Sequence, residues 1–108
     1  MESHIVVEIK KYISDSIDKP LKIDELTKAL GYSKSYLSKL FNSQTGDTIY
    51  NYSIKEKIKN AKALIREKNL NFTEISDALS FDNPQYFSRV FKRVTSMSPT
   101  EFKNTLNI

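Results

Sequence analysis

Four polar side chains near the end of the chain have the chemistry needed to read nucleic-acid bases. They recur at helical spacing on one side of a short segment, and they are Gln85, Ser88, Arg89 and Lys92. Arginine and glutamine match the paired edges of guanine and adenine, serine adapts to either, and lysine suits phosphate. The segment therefore predicts a helix whose polar-basic face lies in a groove.

The helix that positions these side chains is expected to begin at Pro84. Asn83 can cap its first turn with a side-chain oxygen, and proline suits the first helical position because its missing N–H is not needed there. The apolar side, which should pack on a core, consists of Phe87, Val90, Phe91 and Val94. A lone helix of this composition is more often an ordinary amphipathic surface helix.

A second copy of the pattern argues against that ordinary interpretation. Residues 22–34 align without gaps on residues 71–83, and residues 35–48 align on residues 85–98, with Pro84 as the only insertion. The identical pairs are Glu25/Glu74, Ala29/Ala78, Leu30/Leu79, Tyr36/Tyr86, Ser38/Ser88, Phe41/Phe91 and Thr45/Thr95. Each copy predicts a short helix, a turn and a second helix with a polar-basic outer face, which is the helix-turn-helix pattern.

We call the second helix of each copy, which is predicted to lie in a groove, a groove helix. Apolar periodicity and turn residues predict two helices before the first groove helix. A packing helix covers residue 4 to about residue 17, and Pro20 lies just beyond its end. A short helix follows over residues 23–30, with Ala29 among its inward residues, and Gly31 ends it in a left-handed conformation.

The middle of the chain predicts one groove helix and one long helix. Ser33 caps the groove helix, which runs from residue 34 to about residue 45, and Gly46 closes it. The longest helical pattern covers residue 49 to about residue 68. About 20 residues make a rod of roughly 30 Å, which suits a spacer between two copies of a repeat.

Two capping boxes are predicted in the second copy. Asn71 and Glu74 begin its short helix, in which Ala78 is expected to face inward. Residues 98–101, Ser-Pro-Thr-Glu, open a final helix that ends near Leu106.

The pattern as a whole predicts an all-α fold of about seven helices with two helix-turn-helix subdomains. The first subdomain covers about residues 5–46, the second about residues 71–106, and a linker helix over residues 48–68 joins them. At 108 residues the chain can form one compact domain, or two very small ones that share a core, without disulfide or metal staples. It has no cysteine, and its apolar runs are too short to span a bilayer, so we expect a cytoplasmic protein without a membrane partner.

Positive charge is concentrated in the predicted linker helix. The formal net charge is +4, and this segment carries Lys55, Lys57, Lys59, Lys62, Arg66 and Lys68 against Glu56 and Glu67. Clustered positive charge favours an anionic polymer as partner. A solvated face on a packing helix explains most of these lysines equally well.

The sequence offers little from which to assemble an enzyme site. Its one histidine, His4, lies beside the chain start, and there is no cysteine, phosphate loop or metal-ligand spacing. We therefore expect no catalytic activity, no metal and no cofactor. The tyrosine and phenylalanine residues recur at helical spacing, so they are interpreted as core rather than as stacking platforms for single strands. RNA is also disfavoured, because an A-form major groove does not admit these helices.

Several sequence motifs follow one another along the chain. They are Ile23-x-x-Leu26-x-x-x-Leu30-Gly31-Tyr32, Tyr36-Leu37-Ser38-Lys39-Leu40-Phe41, Thr45-Gly46, Ile58-x-x-Ala61-x-x-Leu64-Ile65, and Phe87-Ser88-Arg89-x-Phe91-Lys92 followed by Ser98-Pro99. Together they resemble the DNA-binding domain of AraC/XylS-type transcription regulators, from about Ile5 to Lys103. The N-terminal helix is similar to that of the response-regulator branch.

This resemblance implies a fold and a set of DNA contacts. Domains of this family consist of two helix-turn-helix units joined by a long helix, and each second helix enters one of two successive major grooves. The implied base-reading positions are Ser35, Ser38, Lys39, Asn83, Gln85, Ser88 and Arg89, and the implied phosphate contacts are Ser33, Lys34 and Lys92.

Four positions depart from the family pattern without removing a groove-facing side chain. Ser80 and Ser96 stand where the family usually has glycine, which predicts strain or altered geometry in two turns of the second unit. Lys57 replaces a usual arginine and Ser53 a usual leucine in the long helix.

The leading functional prediction is a sequence-specific double-stranded DNA-binding module that controls transcription. The alternative is a helical protein-interaction module that keeps the fold without binding DNA. Regulators similar to this chain are usually two-part proteins, so we expect an N-terminal sensing or receiver domain in the parent protein, with RNA polymerase as a further candidate partner.

Overall fold

Seven helices and no strand make up the part of the chain that the computed structural model describes, residues 2–106. They are α1 (His4–Asp15), α2 (Ile23–Leu30), α3 (Lys34–Thr45), α4 (Ile49–Glu67), α5 (Phe72–Ala78), α6 (Pro84–Thr95) and α7 (Pro99–Thr105). The all-α prediction is confirmed. Within residues 2–106, no helix is both long and apolar enough to cross a membrane.

Side-chain caps determine where most of these helices begin. Ser33 accepts a hydrogen bond from the backbone N–H of Tyr36 at 3.1 Å, and Asn83 accepts one from that of Tyr86 at 2.7 Å. Both caps therefore stand at the aligned starts of α3 and α6. The two predicted capping boxes are also present, at the starts of α5 and α7. Helix α2 begins at Ile23, and its N-cap residue Lys22 makes no side-chain capping hydrogen bond.

Two predicted helix ends were too long. Helix α1 ends at Asp15, because Ser16 leaves the helical conformation before Pro20 is reached. Helix α4 ends at Glu67, because Lys68 adopts a left-handed backbone with φ of 60°. A left-handed lysine has no sequence signal as plain as a glycine, and for that reason this end was missed.

The chain divides into two compact units, with the boundary between Glu56 and Lys57 inside α4. The first unit has a core of buried aliphatic residues and one phenylalanine: Val6, Ile9, Ile13, Leu26, Leu37, Phe41 and Ile49. These residues come from α1, α2, α3 and the start of α4. The first helix-turn-helix is therefore fixed to its own scaffold.

The core of the second unit contains a row of aromatic rings among aliphatic residues. Rings of Phe81 and Phe87 lie 5.2 Å apart, those of Phe87 and Phe91 lie 5.8 Å apart, and those of Phe91 and Phe102 lie 5.7 Å apart, measured between centroids. Such offset and edge contacts are favourable beyond the area that they bury. This row of rings fixes the inner face of α6 and therefore the direction in which its outer face points.

Three residues predicted to face inward are exposed instead: Ala29, Ala78 and Val94. Each alanine precedes a leucine of the inner face, and successive helical residues are rotated by roughly 100°, so the alanine lies at the edge of that face. Val94 lies on the correct side of α6 but in its last turn, next to the C-cap Ser96. Apolar character alone did not distinguish the middle of the core from its margin.

Candidate nucleic-acid interface

The first helix-turn-helix consists of α2, a three-residue turn and α3. Gly31 occupies the left-handed region with φ of 77°, and its N–H donates to the carbonyl of Thr27 at 2.8 Å. A glycine is favoured here because other residues pay a steric cost at positive φ. Two residues later Ser33 begins α3, so the turn redirects the chain within a few residues.

All the predicted contact residues of the first unit are exposed on or beside α3. They are Ser33, Lys34, Ser35, Ser38 and Lys39. The opposite side of the same helix carries Leu37 and Phe41, which are both fully buried. Helix α3 therefore presents one continuous polar face with two lysines, and its apolar face holds it in place.

The second helix-turn-helix has the same organisation. Asn83, Gln85, Arg89 and Lys92 are exposed, Ser88 is half-buried, and Phe87, Val90 and Phe91 are buried on the other side of α6. The cap uses one lone pair of the Asn83 Oδ1, and the amide nitrogen of the same side chain remains available to donate to a base. The structure thus brings the four exposed side chains and Ser88 onto one end and one side of α6.

Two cations of α6 have partners within the second unit. The guanidinium carbon of Arg89 lies 5.9 Å from the ring centroid of Tyr86. The ammonium of Lys92 lies 3.8 Å from a carboxylate oxygen of Glu101, and both side chains remain largely exposed. Hydrogen bonds from Ser98, followed by the charge of Lys92, hold the pKa of Glu101 below its usual range. A phosphate on Lys92 would therefore compete with a carboxylate.

Several basic residues of α4 contact other groups of the protein. Lys57 is buried, with 5 % of its surface exposed, and its ammonium donates to the carbonyl of Leu79 at 2.5 Å. The prediction that it adds to an exposed positive field was wrong, because its ammonium is used at the C-cap of α5. Lys55 pairs with Asp47 at 3.1 Å.

The carboxyl group of Asp47 responds to that pairing. Partial burial raises its pKa, but hydrogen bonds from Lys55 and from the N–H of Thr48 outweigh this effect and leave the pKa below its usual range.

Two further cations of α4 pack on an aromatic ring. Lys62 and Arg66 lie over the ring of Phe102, at 5.8 and 5.5 Å from its centroid. Most of the α4 cations therefore contact other groups of the protein rather than forming a purely solvated face.

Three tyrosines contradict the prediction that the aromatic residues are core. Tyr32, Tyr36 and Tyr50 expose 42 %, 46 % and 53 % of their surface. The rings of Tyr32 and Tyr36 stack at 5.2 Å beside the start of α3. Tyrosine tolerates such positions because its hydroxyl can stay in water while the ring packs. The residue aligned with Tyr32 is Phe81, which is buried.

One exposed cation on α6 was absent from the predicted contacts. Arg93 follows Lys92 directly in the last turn and is exposed. The aligned residue in the first copy is Ser43, so the repeat gives no sign of this cation. Among residues 2–106, no group of three or more histidine, cysteine, aspartate or glutamate side chains could hold a metal ion.

Comparison with known proteins identifies the family. A family model described as a helix-turn-helix domain matches residues 26–105. The regulatory protein SoxS of Escherichia coli K12 is 31% identical over 102 residues, which cover 94% of this chain and 95% of SoxS. The chain belongs to the AraC/XylS family. It is thus a DNA-binding helix-turn-helix domain of the transcription-regulator class, and the resemblance drawn from its motifs is confirmed.

Other relatives of this AraC/XylS domain are longer proteins. The xylose operon regulatory protein of Escherichia coli K12 is 32% identical over 99 residues, which cover 92% of this chain but 25% of that protein. The chain therefore spans about a quarter of that relative's length. Among solved structures, the C-terminal domain of AraT, a response regulator from Geobacillus stearothermophilus, superposes with a TM-score of 0.89 at 26% identity, covering 95% of this chain and 86% of that one.

Proposed function

We propose that this domain binds specific double-stranded DNA by placing α3 and α6 in two successive major grooves on one side of the duplex. The observation that carries the proposal is the repeat of one arrangement at aligned positions. In both helices a side-chain cap begins the helix, the aligned pairs Leu37/Phe87 and Phe41/Phe91 are buried, and the aligned polar residues lie on the outer side, where all but the half-buried Ser88 are exposed. Two helices with a similar arrangement of apolar and polar residues suit two successive turns of a regular duplex.

The length of α4 supports the spacing. Its 19 residues correspond to roughly 28 Å at 1.5 Å per residue. Successive major grooves on one face of B-DNA are roughly 34 Å apart. In the bound state a helical connection of this length would set the separation of the two readers, and DNA bending would absorb the shortfall. As part of this proposal, the two DNA-binding units cover about residues 5–46 and about residues 71–106.

We assign the contacts by side-chain chemistry. Gln85 and Arg89 read base edges in two places each, because their forked groups match adenine and guanine. The shorter readers are Asn83 and Ser88 on the second unit and Ser35, Ser38 and Lys39 on the first. Ser33, Lys34 and Lys92 contact phosphates and fix the register of the domain on the duplex.

We further propose that this domain acts within a two-part regulator. The length of the xylose operon relative leaves room for a separate sensing region, and a relative of known structure is described as a xylose-binding transcription activator. A sensing or receiver domain N-terminal to these units would control DNA binding, and RNA polymerase would be the downstream partner.

A selection of bound sequences followed by gel-shift titration at several salt concentrations tests the proposal. We expect two conserved boxes one helical turn apart and an affinity that falls steeply with salt, because phosphate contacts release counterions. Inserting about half a helical turn between the boxes places the second on the opposite face, so affinity should fall toward that of one unit. A complete footprint over both boxes after the insertion would refute the fixed spacing. No specific shift at any salt would favour a protein-interaction module.

A further inference from the structure

Arg89 does not extend from α6 alone, because an aromatic ring lies against it. Its guanidinium carbon is 5.9 Å from the ring centroid of Tyr86, one turn earlier on the helix. The Tyr86 ring lies 6.1 Å from the ring of Phe81, which exposes only 7 % of its surface. The ring of Phe81 in turn contacts that of the fully buried Phe87. A row of rings therefore connects the core of the second unit to an exposed cation.

The first unit has a different arrangement at the aligned positions. Tyr36 corresponds to Tyr86, and its ring stacks on the exposed ring of Tyr32 with an interplanar angle of 29°. Lys39 corresponds to Arg89. A lysine is a point charge on a flexible stem, whereas the planar guanidinium of arginine stacks on rings and binds guanine through two hydrogen bonds. Only the second unit combines a forked reader with a ring that is anchored to the core.

We propose that Tyr86 is a positioning residue that holds the guanidinium of Arg89 ready for base reading, and so makes the second unit the more selective one. This inference rests on the proposed function, because it needs Arg89 to contact a base. The physical reason is entropic. An arginine loses considerable rotamer freedom when it is fixed on a base, and a side chain that already lies on a ring loses less.

The expected effect is modest and specific. Cation–π contacts at exposed sites change an equilibrium by about two- to fivefold. Removing the ring should therefore reduce the preference for the base pair that Arg89 reads by about that factor. Affinity for random DNA should not change, because the charge of Arg89 remains. The hydroxyl of Tyr86 plays no part in the stacking, so phenylalanine should replace tyrosine.

The test compares Tyr86→Leu with Tyr86→Phe and uses Tyr36→Leu as the matched control in the first unit. Dissociation constants are measured for the selected site, for the site with each base pair changed, and for random DNA at two salt concentrations. We expect Tyr86→Leu to lose preference at one base pair, and Tyr86→Phe to retain it. Tyr36→Leu should leave the preference at that base pair intact. In an Arg89→Ala background, Tyr86→Leu should cause no further loss of preference.

The results separate this inference from the proposed function. If Arg89→Ala abolishes the preference at one base pair and Tyr86→Leu leaves it intact, the positioning role is refuted while base reading stands. If the wild type shows no sequence preference, the proposed function fails. If Arg89→Ala weakens specific and random binding equally, base reading by Arg89 fails and the positioning role fails with it.

A measurement on the free protein keeps the inference testable if Tyr86→Leu does not fold. Nuclear magnetic resonance reports both the ring-current shift on the Arg89 side-chain protons and the mobility of its Nε–H group. We expect a shifted, ordered Arg89 side chain in the wild type and in Tyr86→Phe. Unshifted, fully mobile Arg89 signals in the wild type would overturn the proposal.

Discussion

Ser96 and Gly46 provide a matched pair for measuring the cost of a left-handed serine. Ser96 closes α6 with φ of 68° and ψ of 5°, and the aligned Gly46 closes α3 with φ of 74° and ψ of 9°. The N–H of each donates to the carbonyl four residues earlier at 2.8 Å. The preceding threonine of each, Thr45 or Thr95, accepts from the residue after the cap at 3.1 Å. The two turns share this backbone geometry, and at the capping position itself they differ by one side chain.

We expect Ser96→Gly to stabilise the protein and Gly46→Ser to destabilise it. A left-handed conformation costs a non-glycine residue roughly 1–2 kcal/mol. The greater freedom of glycine in the unfolded chain returns about 0.4–1 kcal/mol of that. The difference of these two ranges is about 0–1.6 kcal/mol, so the net gain for Ser96→Gly centres on about 0.8 kcal/mol. A Cβ atom built on Gly46 meets no atom within 4 Å, so the loss in Gly46→Ser would come from the backbone rather than from a clash.

Urea unfolding followed by circular dichroism measures both changes, and amide exchange locates each in its own helix. In a thermal melt of the same variants, a change of about 1 kcal/mol should move the midpoint temperature by roughly 4–8 °C in a domain of this size. Ser96→Ala keeps the Cβ atom and should behave like the wild type. If Ser96→Gly instead lowered stability, the Ser96 hydroxyl would be stabilising the turn and the backbone explanation would be wrong.

Three further predictions concern individual charges. Lys34→Ala and Lys92→Ala should each weaken specific and random DNA binding alike and lower the slope of log affinity against log salt by about one unit; unchanged slopes in both would contradict the phosphate assignments. Lys57→Met should cost roughly 1–3 kcal/mol of unfolding free energy, because the Leu79 carbonyl loses a charged donor, whereas Lys59→Met should stay within about 0.5 kcal/mol; equal effects in urea unfolding would exclude the buried hydrogen bond. Because the pKa of Glu101 is lowered on folding, its contribution to stability is present above its unfolded pKa and is lost as pH falls through its folded pKa. A glutamine at position 101 cannot titrate. The stability of Glu101→Gln relative to the wild type should therefore improve as pH falls from the unfolded pKa of Glu101 through its folded pKa, and parallel pH profiles of the two proteins would refute the link between Glu101 ionisation and stability.

The helices were predictable because local signals and core periodicity agreed. Ser33, Asn71, Asn83 and Ser98 each begin the helix that the sequence assigned to them. Such caps act within one turn of the chain, so no knowledge of the tertiary fold is needed. The missed end at Lys68 had no comparable signal.

The environment of the candidate site was less predictable, because it depends on contacts between residues distant in sequence. Lys57 and Leu79 are 22 positions apart, and nothing local distinguishes the buried Lys57 from the exposed Lys59. The exposure of Tyr32 was equally hidden, because the aligned Phe81 is buried. Residue type and the alignment of the two copies therefore predict the helices more reliably than they predict whether a given side chain is buried or exposed.

The unit boundary inside α4 affects how this duplicated chain can change. Cutting between Glu56 and Lys57 would interrupt a continuous helix, and it would leave carbonyls on one side and amides on the other without their helical partners. The pieces of α4 left on each unit, residues 49–56 and 57–67, are shorter than helices that persist in water unaided. Removing one unit at this boundary would therefore damage the other. The shared helix makes the duplication difficult to reverse, and sequence divergence between the copies is the easier course.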